Sequence, residues 1–214
     1  MKRALVAGAV VLPSMFGATT AHAKAEGDGA YGRLEGDLAV AFGLGGGLVA
    51  ATGRPLLSSD LRLRYLEAAG ATVSYEEADA LGHAGIGELR RAFLAGVELR
   101  PLFPIRFLKA KETGRAFFDL VLDSLALDVG TFWAVREGDG VRRPGLYAGL
   151  AVELPITGRA SGLWLRVSSS LRWAAPTLEG THDPSGRMVV LGLALAWHET
   201  FGAGLVQRGD APPR

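Results

Sequence analysis

Three histidines and two serines of this 214-residue chain could carry out acyl transfer or ester hydrolysis. That chemistry needs a nucleophile and a base within hydrogen-bond reach, with a third group that orients the base. The candidate bases are His83, His182 and His198, and the candidate nucleophiles are Ser168 and Ser170. Because no lipase or acyltransferase motif surrounds them, a lipid-modifying enzyme that uses His198 is an alternative and not our main prediction.

The same residue types do not form a recognisable metal or cofactor motif. The chain has no cysteine, and no two histidines have a spacing typical of metal ligands. The cluster Gly43, Gly45, Gly46 and Gly47 lacks the lysine and the helix that complete a phosphate-binding loop. We therefore expect no cofactor, and we expect these glycines to allow tight curvature or close packing within a strand.

The first 23 residues have the pattern of a secretory signal peptide. The chain begins with Met-Lys-Arg, and an apolar stretch follows from residue 4 to residue 20. Ala21 and Ala23 place small residues at the −3 and −1 positions before Lys24. An uncleaved membrane anchor is the alternative to cleavage. Cleavage would leave residues 24–214 as one domain of ordinary size.

The composition of the whole chain limits the classes of protein to which it can belong. The formal net charge is +1 at pH 7, which gives no argument for a nucleic-acid partner. Hydrophobic residues make up 49% of the chain. Beyond the leader, however, no apolar run approaches the roughly 20 residues of a membrane-spanning helix. The apolar residues must therefore be placed in another kind of structure.

Bulky apolar residues alternate with small or polar residues along most of the chain. Near the C-terminus, for example, Leu191, Leu193 and Leu195 lie on one face, and Gly192 and Ala194 lie on the other. This period of two predicts strands. It predicts seven of them, at residues 37–50, 57–76, 88–100, 123–136, 145–156, 162–173 and 187–201. Turn-forming sequences between the segments favour a single all-β domain with antiparallel strands.

Two surroundings could explain a sheet with one bulky apolar face. A soluble periplasmic, lipocalin-like barrel would turn that face inward around an apolar ligand. A membrane barrel would instead turn it toward lipid, where only a closed sheet satisfies its backbone hydrogen bonds. The other face favours the membrane barrel because it is rich in glycine and alanine and carries arginine but no lysine. Arginine is the better partner for carboxylates that are held away from bulk water.

Large aromatic residues of the bulky face lie mostly toward the segment ends, where a membrane barrel has its interfacial girdles. They are Tyr65, Tyr75, Trp133, Trp173, Trp197 and Phe201. With its leader and its alternating strands, the chain resembles the small bacterial outer-membrane β-barrel proteins. That resemblance implies an antiparallel up-and-down barrel of about eight strands and an aromatic residue at the end of the closing strand. The chain departs from the pattern because the tail 202–214 follows Phe201.

The charged residues of the small face predict a plugged interior. Side chains fill the interior of a barrel of about eight strands, and an unpaired buried charge is very costly. The seven acids and six arginines nearly balance, so we expect interlocked ion pairs and not a selective pore. They are Asp37, Asp60, Arg62, Arg64, Glu76, Glu88, Arg90, Glu98, Arg100, Asp128, Glu153, Arg166 and Arg172.

Seven strands are one too few, because single-chain bacterial barrels have even numbers of strands. Residues 24–36 could supply the missing strand, and so could residues 101–122. The third explanation is that the long segment 57–76 is two strands, joined around residues 68–71. The alternation alone does not choose among the three.

Residues 101–122, PLFPIRFLKAKETGRAFFDLVL, break the alternation and partly follow helical spacing. A basic, aromatic-rich amphipathic segment could lie at a membrane interface and meet anionic head groups. The alternative, which we favour, is a long loop packed over the barrel mouth. Loop lengths suggest an orientation: the short turns near 52–55 and 157–160 would be periplasmic, and the loops near 77–87, 137–144 and 174–186 external. Residues 101–122 would then lie on the periplasmic side.

The sequence thus predicts an exported outer-membrane β-barrel with a structural or surface-recognition role. A membrane location predicts outer-membrane lipid as the partner. The sequence does not indicate a protein partner or a ligand. The soluble carrier of an apolar ligand and the lipid-modifying enzyme are the two alternatives.

Overall fold

The computed structural model describes residues 31–33, 36–82, 88–136, 143–180 and 186–203. The predicted signal peptide 1–23, His83, His182 and most of the tail 202–214 lie outside the described residues. The strands are β1 (Leu38–Val49), β2 (Arg54–Tyr65), β3 (Ala69–Glu77), β4 (Leu89–Leu99), β5 (Ala126–Arg136), β6 (Gly145–Pro155), β7 (Gly162–Trp173) and β8 (Arg187–Phe201). Three short α-helices accompany them, α1 (Leu102–Leu108), α2 (Ala116–Asp123) and α3 (Ala175–Leu178), and a 3-10 helix spans Asp79–Leu81.

The eight strands form a closed barrel in which each strand pairs with its sequence neighbour. Every pairing is antiparallel, and β1 closes the barrel by pairing with β8 from Leu38↔Phe201 to Val49↔Val190. The predicted all-β, antiparallel up-and-down barrel is therefore confirmed. Closure leaves no sheet edge exposed. Among the described residues, no helix is long and apolar enough to cross a membrane.

The eighth strand comes from the segment that the alternation had joined. Residues 57–76 belong to β2 and β3, which a tight turn at residues 66–68 separates. Leu66 and Glu67 there have positive φ values of 47° and 54°, and the Ala68 amide donates to the Tyr65 carbonyl at 3.0 Å. The turn contains neither proline nor glycine, so it carries no ordinary turn signal. The segment 101–122 contains α1 and α2 instead of a strand.

The extra strand corrects part of the predicted orientation. We call the end that holds the β1–β2, β3–β4, β5–β6 and β7–β8 connections the loop end. The opposite end, which we call the terminal end, holds the start of β1, the end of β8, the β2–β3 and β6–β7 turns, and α1 and α2. The turn at 52–55 is therefore at the loop end, opposite the turn at 157–160. The prediction that both turns lie on one side was therefore wrong. Residues 57–76 were counted as one strand, and each strand that is missed moves the turns before it to the opposite end of the barrel.

A bulge shifts the alternation in β4. Its pairing with β5 changes register between Leu89 and Arg91. As a result Leu89 is buried inside the barrel, whereas uninterrupted alternation over residues 88–100 would place it on the outer face with Phe93. From Phe93 onward the alternation follows the prediction, with Phe93 and Val97 exposed and Glu98 buried. A bulge inserts one unpaired residue and so reverses the facing of the residues on one side of it.

Candidate functional site

The outer surface of the barrel is a band of exposed apolar side chains. On β8 the exposed apolar residues include Leu191, Leu193, Leu195 and Trp197, whereas Ala194 and Ala196 between them face inward. Leu193 is 53% exposed and Ala196 is 1% exposed. The other strands repeat this arrangement. With a rise of about 3.3 Å per residue and a tilt of about 40°, a strand of 11 or 12 residues spans about 25–28 Å of the barrel axis.

Aromatic residues lie toward both borders of the band. Tyr65, Trp197 and Phe201 are nearer the terminal end, and Tyr75, Trp133 and Trp173 are nearer the loop end. The ring of Trp133 lies 5.7 Å from that of Phe93. The Trp197 indole N–H donates to Glu199 at 3.3 Å, and the Tyr75 hydroxyl donates to Glu77 at 2.7 Å. Both polar groups thus bond to carboxylates nearer the strand ends, as expected of amphipathic rings at a boundary with water.

The interior of the terminal half holds a buried ion cluster. Its members are Arg62, Arg64, Glu67, Glu98, Arg100, Asp128, Glu153 and Arg166. Glu98 and Glu153 are fully buried and lie at its centre. Glu153 accepts hydrogen bonds from Arg62, Arg100 and Arg166. Four arginines face four carboxylates in this group, and Asp60 at its edge adds a fifth carboxylate through its ion pair with Arg62.

The strand register explains why these side chains meet. Glu153 on β6 stands opposite Arg166 on β7, and Glu98 on β4 stands opposite Asp128 on β5. Arg166 then bridges both pairs, because its guanidinium lies 2.9 Å from Glu98, 3.3 Å from Glu153 and 2.7 Å from Asp128. A planar guanidinium with five donors suits such multiple contacts, whereas an ammonium group would not reach them.

A second pair lies nearer the loop end. Arg172 makes a bidentate ion pair with Glu76, with hydrogen bonds of 2.6 and 2.7 Å. The Arg172 Nε also donates to the Ser170 hydroxyl at 3.1 Å. Both charged side chains are buried. Bidentate geometry is the strongest form of this ion pair.

Apolar side chains fill the interior of the loop half. Phe132, Leu56, Leu94, Met188 and Tyr147 are the large members. Between this apolar cluster and the ion cluster lies a polar cavity of about 100 Å³, lined among others by Asp60, Ser74, Asp128, Ser168 and Arg172. The cavity is large enough for a few water molecules.

Helices α1 and α2 cover the terminal end. The Ser124 hydroxyl, just after α2, donates to the Glu153 carbonyl at 2.8 Å and accepts from the Glu153 amide at 2.9 Å. Asp119 on α2 accepts hydrogen bonds from the Tyr31 hydroxyl at 2.9 Å and from the Arg106 guanidinium of α1. Arg33 pairs with Asp123. These contacts tie α1, α2 and residues 31–33 together across the mouth, and we call this assembly the cap.

The cap contains a carboxyl group whose pKa is strongly lowered. Burial alone would raise the pKa of Asp119, but hydrogen bonds from the Thr113 amide, the Tyr31 hydroxyl and Arg106 lower it from 3.8 to about 2. The pKa of the Tyr31 hydroxyl is raised, through burial and its bond to Asp119. Asp119 is therefore charged at any physiological pH.

Most of the predicted interior charges lie inside the barrel. Asp60 pairs with Arg62 at 2.7 Å. Asp37 is buried at the terminal end, where it accepts a hydrogen bond from the Ala203 amide and so links the start of β1 to the end of β8.

Glu88 and Arg90 are the exceptions, and the structure places them at the loop-end rim. Glu88 accepts from Arg54 at 2.6 Å, and Arg90 pairs with Asp79 at 2.6 Å. The β4 bulge is the physical reason, since it removes this part of the strand from the predicted facing.

Several buried charges were not among the predicted interior charges. Glu67 is in the non-glycine turn, and Asp119 and Asp123 are on α2, where alternation gives no information. Arg136 ends β5 as a buried residue near Met188. The pattern did place Arg136 on the small face, which was the available signal.

The proposed catalytic groups do not form a site among the described residues. His198 is 1% exposed and lies flat under Trp164, with ring centres 4.9 Å apart. Its Nδ1 accepts from Arg64 at 3.1 Å, and its Nε2 faces Glu153 at 3.5 Å. Ser168 lies six residues along β7 from Gly162, the partner of His198, or about 20 Å away. Within the described ranges no three potential metal ligands cluster.

No protein-family model matches the chain, and no curated protein matches it. Among solved structures it is similar to Ail, the attachment invasion locus protein of Yersinia pestis, in a crystal structure with the heparin analogue sucrose octasulfate. That match has a TM-score of 0.35 and 7% identity, and it covers 76% of this chain and 96% of that chain. By its own topology, eight antiparallel strands closed in sequence order, the chain has the architecture of the small outer-membrane β-barrels.

Proposed function

We propose that this protein is an exported outer-membrane β-barrel whose interior is plugged and whose role is structural or in surface recognition. The observation that carries the proposal is that apolar side chains cover the outside of the barrel and charged side chains are buried inside it, the reverse of a soluble protein. Leucine, phenylalanine and tryptophan side chains are exposed around the barrel, whereas Arg62, Arg64, Glu98 and Glu153 are buried within it. An exposed apolar belt of this extent is far larger than a soluble monomer carries.

The soluble carrier is the weaker proposal because its binding cavity would have to be apolar. The large outward side chains, such as Leu193 and Leu150, point away from the interior. The central cavity is small and is lined largely by charged and hydroxyl side chains. A bound apolar ligand would leave those polar groups without hydrogen-bond partners.

The burial of His198 argues against the proposal that the protein is an enzyme. A general base has to reach its substrate within about 3 Å, but His198 is enclosed by Trp164, Arg64 and Glu153. No described serine is within hydrogen-bond reach of it.

A recognition role would reside in the connections at the loop end, opposite the cap.

Cell fractionation tests the proposal. We expect the protein in the outer-membrane fraction, resistant to carbonate washing and released by detergent, with a folded form that migrates faster than the heated form in electrophoresis. Purified protein in a planar bilayer should give no porin-sized conductance, because ion pairs bridge the interior. Recovery in the soluble periplasm would overturn the membrane assignment, and steady large conductance would overturn the plug.

A further inference from the structure

We propose that the cap is also a membrane-interface element, and that its outer side binds anionic phospholipid in the leaflet at the terminal end. This inference rests on the proposed outer-membrane location and adds a specific lipid contact to it. It is based on a row of exposed apolar side chains that lies at the border of the apolar band and is flanked by three cationic side chains.

The cap has two chemically different sides. Its inner side holds the buried or half-buried partners Arg106, Asp119 and Asp123, together with Phe103, which packs under the Arg33 guanidinium at 4.8 Å. Its outer side exposes Phe107, Leu108, Phe117, Phe118 and Leu122. Leu108 is 82% exposed, the most of any large hydrophobic residue that the structure describes. These contacts hold the cap together, and the Ser124–Glu153 hydrogen bonds attach it to β6, so neither set of contacts uses the outer side.

The outer side continues the band on the strands. Helix α2 leads within three residues into β5, whose Leu127 and Val129 are exposed on the lipid-facing surface. Leu122 in the last turn of α2 and Leu125 just before β5 are also exposed. The apolar surface therefore extends without interruption from the barrel wall onto the cap. Continuity with a lipid-facing surface favours lipid over a separate protein partner as its occupant.

The charges next to this surface fit a phosphate-bearing head group. Lys109, Lys111 and Arg115 are exposed between α1 and α2. In the described part of the chain, none of the three forms an ion pair with an acid, and the nearby Glu112 is bonded to Arg33 at 2.7 Å. Exposed cations beside apolar side chains are typical of interfacial segments that bind anionic membranes. A zwitterionic head group would satisfy them less well.

The cysteine-free chain allows a direct test by site-specific labelling. An environment-sensitive fluorophore is attached to Leu108→Cys, to Leu193→Cys on the barrel wall and to Arg159→Cys in the exposed β6–β7 turn. Each labelled protein is reconstituted in phosphatidylcholine vesicles with or without phosphatidylglycerol. Quenching is then measured with lipids brominated on the acyl chains of either type, and with aqueous iodide.

We expect the label at Leu193 to be quenched equally by both brominated lipids and the label at Arg159 to be quenched by iodide. The label at Leu108 should be quenched by lipid, with a preference for phosphatidylglycerol of about fivefold for each cation that contacts the head groups. High salt should reduce that preference. In the triple variant Lys109→Glu, Lys111→Glu, Arg115→Glu the preference should disappear, while the Leu193 label still reports an inserted barrel.

The outcomes separate this inference from the proposed function. If the label at Leu193 is quenched by lipid but that at Leu108 is reached only by iodide, the cap faces water or a protein and the inference fails alone. If Leu108 meets lipid without preferring phosphatidylglycerol, the anionic contact is refuted. If neither label meets lipid, the membrane assignment itself fails.

Discussion

Arg62 on β2 and Glu153 on β6 are hydrogen-bonded although they stand four strands apart in an eight-stranded barrel. Four strands is half the circumference, so this bond joins opposite walls. Glu98 and Arg166 make a similar crossing between β4 and β7. The walls of the barrel are thus linked through its centre as well as around it.

Removal of the central carboxylate should strongly destabilise the barrel. Glu153→Ala leaves Arg62, Arg100 and Arg166 buried with one acceptor fewer, and breaking a buried ion pair costs about 3–5 kcal/mol. The free energy of unfolding, measured by urea titration in detergent micelles, should fall by that amount.

The matched control for this prediction is Glu179→Ala. Glu179 forms an exposed pair with Arg143 at the loop end, and exposed pairs contribute within about 1 kcal/mol. Equal effects of the two substitutions would show that the buried cluster adds no stability of its own.

A charge on the outer face should be costly in proportion to its depth. Leu193 lies near the middle of β8, and Val189 lies near its loop end. Leu193→Arg should cost about 2–4 kcal/mol in a bilayer, and Val189→Arg about 0–1 kcal/mol. Folding into lipid vesicles measures both values. A soluble barrel would tolerate the two substitutions equally, since both side chains would face water.

Close packing of β1 against β8 should make Gly45 intolerant of any side chain. A Cβ atom at Gly45 would lie 2.1 Å from the Leu193 carbonyl oxygen and 2.5 Å from the Ala194 Cα atom. These are backbone atoms of the closing strand, so relief requires the seam to move. Gly45→Ala should destabilise the barrel by about 1–3 kcal/mol. Gly202→Ala is the control, because nothing lies within 4 Å of its added Cβ atom.

The cap should loosen in strong acid. The pKa of Asp119 is lowered to about 2 in the folded protein from 3.8, so its charged form stabilises the fold fully above pH 4. That contribution is lost as the pH falls from about 4 to 2, where the unfolded chain binds a proton more readily than the folded one. Hydrogen exchange of the Thr113 amide, a donor to Asp119, should therefore show loss of protection in this range beyond the ordinary pH dependence of exchange. In Asp119→Asn the amide should exchange faster near neutral pH, and the additional acid-induced loss should be absent.

The strand pattern predicted much of the barrel because it reports which face each residue occupies. For β1, β6, β7 and β8 the alternation follows the structure closely, since both faces of a regular strand are chemically distinct there. It failed at Leu66 and Glu67, where a turn forms without glycine or proline, and at Leu89, where a bulge reverses the facing. Neither the turn nor the bulge is marked by an unusual residue type, so the sequence of the segment does not reveal it.

The contacts of the interior could not be predicted in the same way. Alternation placed Arg62 and Glu153 on the inner face, but it does not say which arginine meets which acid. That depends on register and on strand tilt, which bring residues from β2, β4, β6 and β7 to one height. The cap charges Asp119 and Asp123 belong to a helix, where a period of two has no meaning.

The seam between β1 and β8 has a kinetic consequence. The two strands pair along twelve positions, yet they are the first and the last strands in the chain. Until residues 187–201 are available, both edges of the growing sheet lack partners, and no shorter ring of these strands satisfies them. Such long-range contacts are slow to form. Assembly should therefore be all-or-none, and a chain halted before its last strand should aggregate through its open edges.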